Sequence, residues 1–244
     1  MDTILEVENL AITFRSDEGR VRAVDGVTFS VAAGRTLGLV GESGSGKSVS
    51  TKALTRLLPR TAELGPDTRI RYRNKAGEVV HIEAVSPKST LMRRMRGGEI
   101  GMIFQEPMAS FSPVYTIGAQ MVEAIRLHRG QSRREARATA IDMLREVGLS
   151  NPEVRVDAYA SEMSGGMRQR AMIALALAAQ PQLLIADEPT TALDVTIQAQ
   201  VLKLMRDLQT RFQMAMIFIT HDLGVIAHIA DEVAVMYLGT IVER

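Results

Sequence analysis

The chain has 244 residues, 46% of them hydrophobic and 23% charged, with a net charge of +1. That length can bury a full core as one large domain or two small ones, and so even a charge balance gives no global field toward nucleic acid or acidic lipid. Cysteine is absent, which excludes disulfides, thiolate metal sites and cysteine nucleophiles within these residues.

The N-terminus, Met1 to Glu6, lacks the basic-then-apolar pattern of a signal peptide. No run approaches the ~20 apolar residues that cross a bilayer, so any membrane role is expected to come through partners. Ile4 to Phe14 is strand-like, Asp17-Glu18-Gly19 is a turn signal, and Val21, Ala23, Val27, Phe29 and Val31 alternate imperfectly with polar residues. This predicts an antiparallel pair with one buried face. Ala33-Gly34 turns into Leu37 to Val40, a short buried strand.

That strand runs into Gly41-Glu42-Ser43-Gly44-Ser45-Gly46-Lys47-Ser48, which fits G-x-x-x-x-G-K-[ST], the loop that wraps nucleotide phosphates. Val49 to Leu58 is predicted to be a helix stopping at Pro59. Glycines let successive backbone N–H groups turn inward, and the helix start adds its positive dipole end. Lys47 is placed to reach the β- and γ-phosphates and Ser48 to ligate Mg²⁺.

Beyond it, Glu63 to Val85 is polar, with a surface hairpin predicted around Ala76-Gly77. A helix is predicted from Ser86-Pro87 to Arg96, ended by Gly97-Gly98, and then a buried strand, Glu99 to Phe104, with Gln105 directly after it. Ile117, Met121, Ile125 and His128 share one helical face. Ser132-Arg133-Arg134-Glu135 is a capping box for a helix closed by Gly148. Residues 107–163 thus read as all-helical. The basic clusters Arg93-Arg94-Arg96 and Arg133-Arg134-Arg137 read as solvated helix faces, and no nucleic-acid partner is expected.

Ser164-Gly165-Gly166 precedes a long apolar helix, Met167 to Ala179, broken at Gln180-Pro181. Leu183 to Ala186 is a buried strand ending in Asp187-Glu188. Asp194 caps a helix whose Ile197, Val201, Leu204 and Leu208 share a face. Met214 to Ile219 is a strand ending in Thr220-His221, and Glu232–Tyr237 with Thr240–Glu243 forms a final strand pair.

In an open α/β sheet, ligands sit beyond the carboxyl ends of the strands. Four strand ends carry polar groups here: the phosphate loop, Gln105, Asp187-Glu188 and His221. Asp187 suits the acid that organises Mg²⁺, and Glu188 can deprotonate an attacking water. The Ser164 turn is a second helix start able to face an anion. One nucleotide needs one phosphate loop, so a second such turn suggests closure by another subunit.

With these residues in place, the whole chain resembles the ATPase subunit of an ABC transporter. Gly41 to Ser48 matches the Walker A motif, Leu183 to Glu188 Walker B, Gln105 the Q-loop, Ser164-Gly165-Gly166 the signature core, Ala192-Leu193-Asp194 the D-loop and His221 the switch histidine. The finer resemblance is to the peptide and nickel importer group. It rests on Gln105 to Met108 with Pro113, Met163 to Arg170, and Asp187 to Asp194 followed by Val195 to Gln200. Met167 stands where the signature glutamine is usual. Phe14 is the candidate for the aromatic that stacks on adenine, just before an inserted stretch from Arg15 to Arg22. The chain stops at Arg244 where group members continue for tens of residues, so a shortened form is expected.

The resemblance implies a RecA-like P-loop core with an antiparallel β subdomain, together residues 1–106 and 164–244, and an inserted helical subdomain, 107–163. It implies two ATPase subunits, identical or related, packed head to tail around ATP. Contacts to ATP fall to Phe14, Gly41, Glu42, Ser43, Gly44, Ser45, Gly46, Lys47, Ser48, Val49, Gln105, Asp187, Glu188, Asp194 and His221, and to Ser164, Gly165 and Gly166 of the opposite subunit. Mg²⁺ falls to Ser48, Gln105 and Asp187. Catalysis falls to Glu188 as base, with His221, Gln105 and Lys47. Integral permeases and, indirectly, a solute-binding protein are the implied partners, at the cytoplasmic face of the inner membrane. An ATPase of a soluble complex, such as one for phosphonate breakdown, is the alternative.

Overall fold

A computed structural model describes residues 2–17, 19–105, 110–190 and 194–244. The strands are β1 (Thr3–Ser16), β2 (Gly19–Ala32), β3 (Thr36–Val40), β4 (Ala62–Leu64), β5 (Arg69–Arg73), β6 (Val79–His81), β7 (Ile100–Ile103), β8 (Leu183–Asp187), β9 (Ala215–Thr220), β10 (Glu232–Tyr237) and β11 (Thr240–Glu243). The helices are α1 (Lys47–Leu54), α2 (Thr90–Gly98), α3 (Ile117–Arg129), α4 (Arg133–Glu146), α5 (Pro152–Arg155), α6 (Gly165–Leu177), α7 (Val195–Phe212) and α8 (Leu223–Ile229). The protein divides into two compact units, Met1–Arg96 with Gln213–Arg244, and Gly97–Phe212.

In the first unit, β1 and β2 pair antiparallel from Thr3↔Ala32 to Ser16↔Gly19, with register shifts that account for the imperfect alternation of the sequence. Leu5, Val7, Leu10 and Ile12 are buried with Val24, Val27, Phe29 and Val31. β4 and β5 join the other edge of β1, and β6 pairs with β5. The expected surface hairpin is therefore corrected on one face. Ile70 and Tyr72 are fully buried, because alternate side chains of β5 point inward while Arg69 and Arg73 point out.

The same unit holds a parallel set with β3 between β9 and β10, and β11 antiparallel on β10. β3 and β9 are buried along their whole length, as strands covered on both faces must be, hence their unbroken apolar runs. Helix α1 ends at Leu54, short of the predicted Leu58. Arg56 adopts a left-handed φ of 53°, with its N–H on the Ala53 carbonyl and the Leu57 N–H on that of Lys52. This paired closure terminates the helix ahead of Pro59. α2 starts at Thr90 rather than Ser86 because Ser89 caps it, its hydroxyl accepting from the Met92 N–H at 3.2 Å.

In the second unit, β7 and β8 run parallel from Ile100↔Leu183 to Ile103↔Ala186. The described residues of 110–163 hold helices and no strand, as expected. Ser132 and Glu135 form both bonds of the capping box, and the Ser132 hydroxyl, then its N–H, hold the Glu135 carboxyl below the usual glutamate range. On α7 the buried face is Val201, Met205 and Leu208; Leu204, expected there, is half-buried because the stripe steps four residues from Val201 to Met205 before stepping three to Leu208. Among the described residues, no helix is long and apolar enough to cross a membrane.

Candidate active site

The phosphate loop follows the buried end of β3. A Cβ on Gly41 would fall 2.2 Å from the Met236 carbonyl oxygen, and one on Gly46 2.7 Å from that of Ala23. Gly46 also has φ 101° as it opens α1, a conformation that L side chains rarely adopt. Both glycines are therefore fixed by space, and the backbone is drawn tight where a phosphate would lie. Lys47 is 5% exposed, and its Nζ donates to the carbonyls of Gly41 at 2.6 Å and Glu42 at 2.7 Å and to the Ser45 hydroxyl at 3.3 Å. A buried ammonium needs such oxygens. Phosphate oxygens could take their place without exposing it to water.

His221 leaves β9 beside this loop. Val40 pairs with Thr220, so Gly41 and His221 are the next residues on two adjacent parallel strands. The imidazole is exposed, and Asp222 behind it caps α8 by accepting from the N–H groups of Gly224 at 2.7 Å and Val225 at 3.3 Å. A rigid strand and a capped helix thus flank the histidine.

The second unit brings two predicted residues into contact. Ile103 pairs with Ala186, so Gln105 and Glu188 each lie two residues past the pair. The Gln105 amide Nε2 donates to Glu188 Oε2 at 3.2 Å. Asp187 is 5% exposed at the end of β8, while Glu188 is half-buried and turns through a left-handed φ of 47°. Ser164 caps α6, its hydroxyl accepting from the Met167 N–H at 3.4 Å. A Cβ on Gly165 would meet nothing within 4 Å, so this turn opens to the outside. Asp194 Oδ1 accepts from the Ile197 N–H at 2.9 Å and caps α7 as expected. Ala192 and Leu193, like Glu106 to Met108, lie outside the described residues.

The ABC transporter family profile matches residues 24–191. The chain belongs to the ABC transporter family. It is an ATPase of that family. It is 52% identical over 240 residues to a peptide import ATP-binding protein of Brucella abortus (strain 2308), covering 98% of this chain and 70% of that one. To the oligopeptide transport ATP-binding protein OppD of Bacillus subtilis (strain 168) it is 50% identical, covering 98% of this chain and 65% of that one. The fold matches a dimeric ATP-binding cassette in a post-hydrolysis state with ADP and Pi at a TM-score of 0.84, with 23% identity, over 98% of this chain and 97% of that one. These relatives place the ATPase in the peptide-importer group.

The remaining predicted residues of the ATPase are less constrained. Phe14 is half-buried in β1 between Val21 of β2 and Ala62 of β4. Its neighbour two residues back, Ile12, pairs with Val24, whose side chain borders Gly46. The inserted Arg15 to Arg22 stretch continues the β1–β2 ladder to Ser16↔Gly19 among its described residues. Ser48 lies in the first turn of α1 and Asp187 at the end of β8. A hydroxyl and a carboxylate are the hard oxygen donors that Mg²⁺ takes. One residue the sequence did not single out is Gln169. It is 2% exposed on α6, and its amide donates to the Pro189 carbonyl, next to Glu188. Its signal was a lone amide at the start of an apolar helix.

Proposed function

We propose that this ATPase powers uptake of a peptide-like or other small solute through partner permeases, by clamping ATP between two ATPase subunits packed head to tail. The observation that carries it is the loop of Gly41 to Ser48, closed to side chains at Gly41 and Gly46 and holding Lys47 in its floor. Lys47 and the loop from Gly41 through Val49 bind the triphosphate. Ser48, Gln105 and Asp187 would hold Mg²⁺, which when bound would supply positive charge to offset that on the phosphate oxygens. Phe14 is the candidate adenine contact.

Glu188 takes a proton from water as the water oxygen attacks the γ-phosphorus, and the bond to the ADP oxygen breaks. His221 holds the water and γ-phosphate in line. Ser164 and Gly166 come from the opposite subunit, so ATP joins the pair and its hydrolysis releases it. Asp194 sits beside that seam. Within the RecA-like core and β subdomain of 1–106 and 164–244, the insert of 107–163 grips permease helices at the cytoplasmic side of the inner membrane. Identity near 50% to proteins named for peptide import supports this over a soluble phosphonate-breakdown complex.

The test is isolation of the ATPase from membranes in mild detergent. Integral permease subunits and a bound peptide-like solute are expected to accompany it. Soluble lyase subunits in their place would overturn the transport reading.

A further inference from the structure

Glu188 is held in an unfavourable backbone. A left-handed φ of 47° is unfavourable for a non-glycine residue and persists only where the surroundings impose it. The next residue, Pro189, has no N–H to anchor the turn, which leaves its carbonyl. That carbonyl accepts from the side-chain amide of Gln169, which is 2% exposed on α6. A buried donor of this kind is rarely left unpaired, and breaking its bond is costly. Glu188 is therefore held twice. Gln105 holds its carboxylate from the end of β7, and Gln169 holds the peptide that follows it from α6.

We propose that Gln169 is a positioning residue for Glu188, fixing the left-handed turn that aims the carboxylate at the attacking water. Ser164 caps the same helix five residues earlier, so a pull on the signature turn reaches Glu188 through one rigid element. The inference rests on Glu188 being the base.

Two substitutions test it in the full-length protein within its assembled complex, by steady-state ATP hydrolysis. Gln169→Met keeps the length of the side chain and removes the donor. Gln169→Glu keeps the volume and regains a donor only when its carboxyl is protonated. Gln169→Met is expected to lower kcat roughly 10- to 100-fold with KM for ATP held within about twofold. Gln169→Glu is expected to lose rate relative to the unmutated protein as pH rises and its buried carboxyl ionises, and to regain it as pH falls. An unchanged kcat in Gln169→Met would overturn the proposal. So would equal loss of kcat and ATP affinity in both variants with no pH dependence, which would assign Gln169 to packing. Glu188→Gln is the control. If it still turns over, the base itself is misassigned; if it is dead while Gln169→Met is normal, only the role of Gln169 falls.

Discussion

Glu188→Gln is expected to cut ATP turnover by roughly 10²- to 10⁴-fold while ATP still binds. The substitution keeps the size of the side chain and its reach to Gln105, whose amide now lies 3.2 Å from Glu188 Oε2. It removes the one property the reaction needs, a carboxylate able to take a proton from water. The strained φ of 47° comes from the backbone and its anchors, so the amide should occupy the same place. Phosphate release and nucleotide affinity, measured together, read the split. Normal turnover would strip Glu188 of its role.

Lys47→Ala acts on binding instead. The ammonium is 5% exposed and already bonded to three oxygens of its own loop. On binding, phosphate oxygens would replace or join them, and hydrogen bonds to charged groups contribute about 1.5–3 kcal/mol each. Loss of one or more should weaken ATP binding at least about tenfold, since 1.4 kcal/mol is a factor of ten. Calorimetry showing unchanged affinity would count against the phosphate-loop reading.

Much of the fold was legible because its determinants are local. β3, β8 and β9 are apolar runs bounded by turns, and the capping box at Ser132 and Glu135 is written in four consecutive residues. Parallel pairing then carries Gln105 and Glu188 to one place, as their positions past two apolar strands suggested. What escaped depends on distant partners or on backbone angles. The end of α1 is set by a left-handed Arg56, a residue type with no preference for that conformation. The burial of Ile70 and Tyr72 follows from pairing with β1, more than fifty residues earlier. Gln169 looked like one more helix residue, since the carbonyl it holds belongs to Pro189, twenty positions on.

Shared custody of one ATP by two polypeptides is the claim on which the transport reading turns. Ser43 and Ser164 are exposed and the chain has no native cysteine, so Ser43→Cys and Ser164→Cys give a clean pair for a short thiol cross-linker. In a Glu188→Gln background, MgATP is expected to produce a covalent dimer that is absent without nucleotide. A chain that stays monomeric in MgATP, or cross-links equally with no nucleotide, would contradict it.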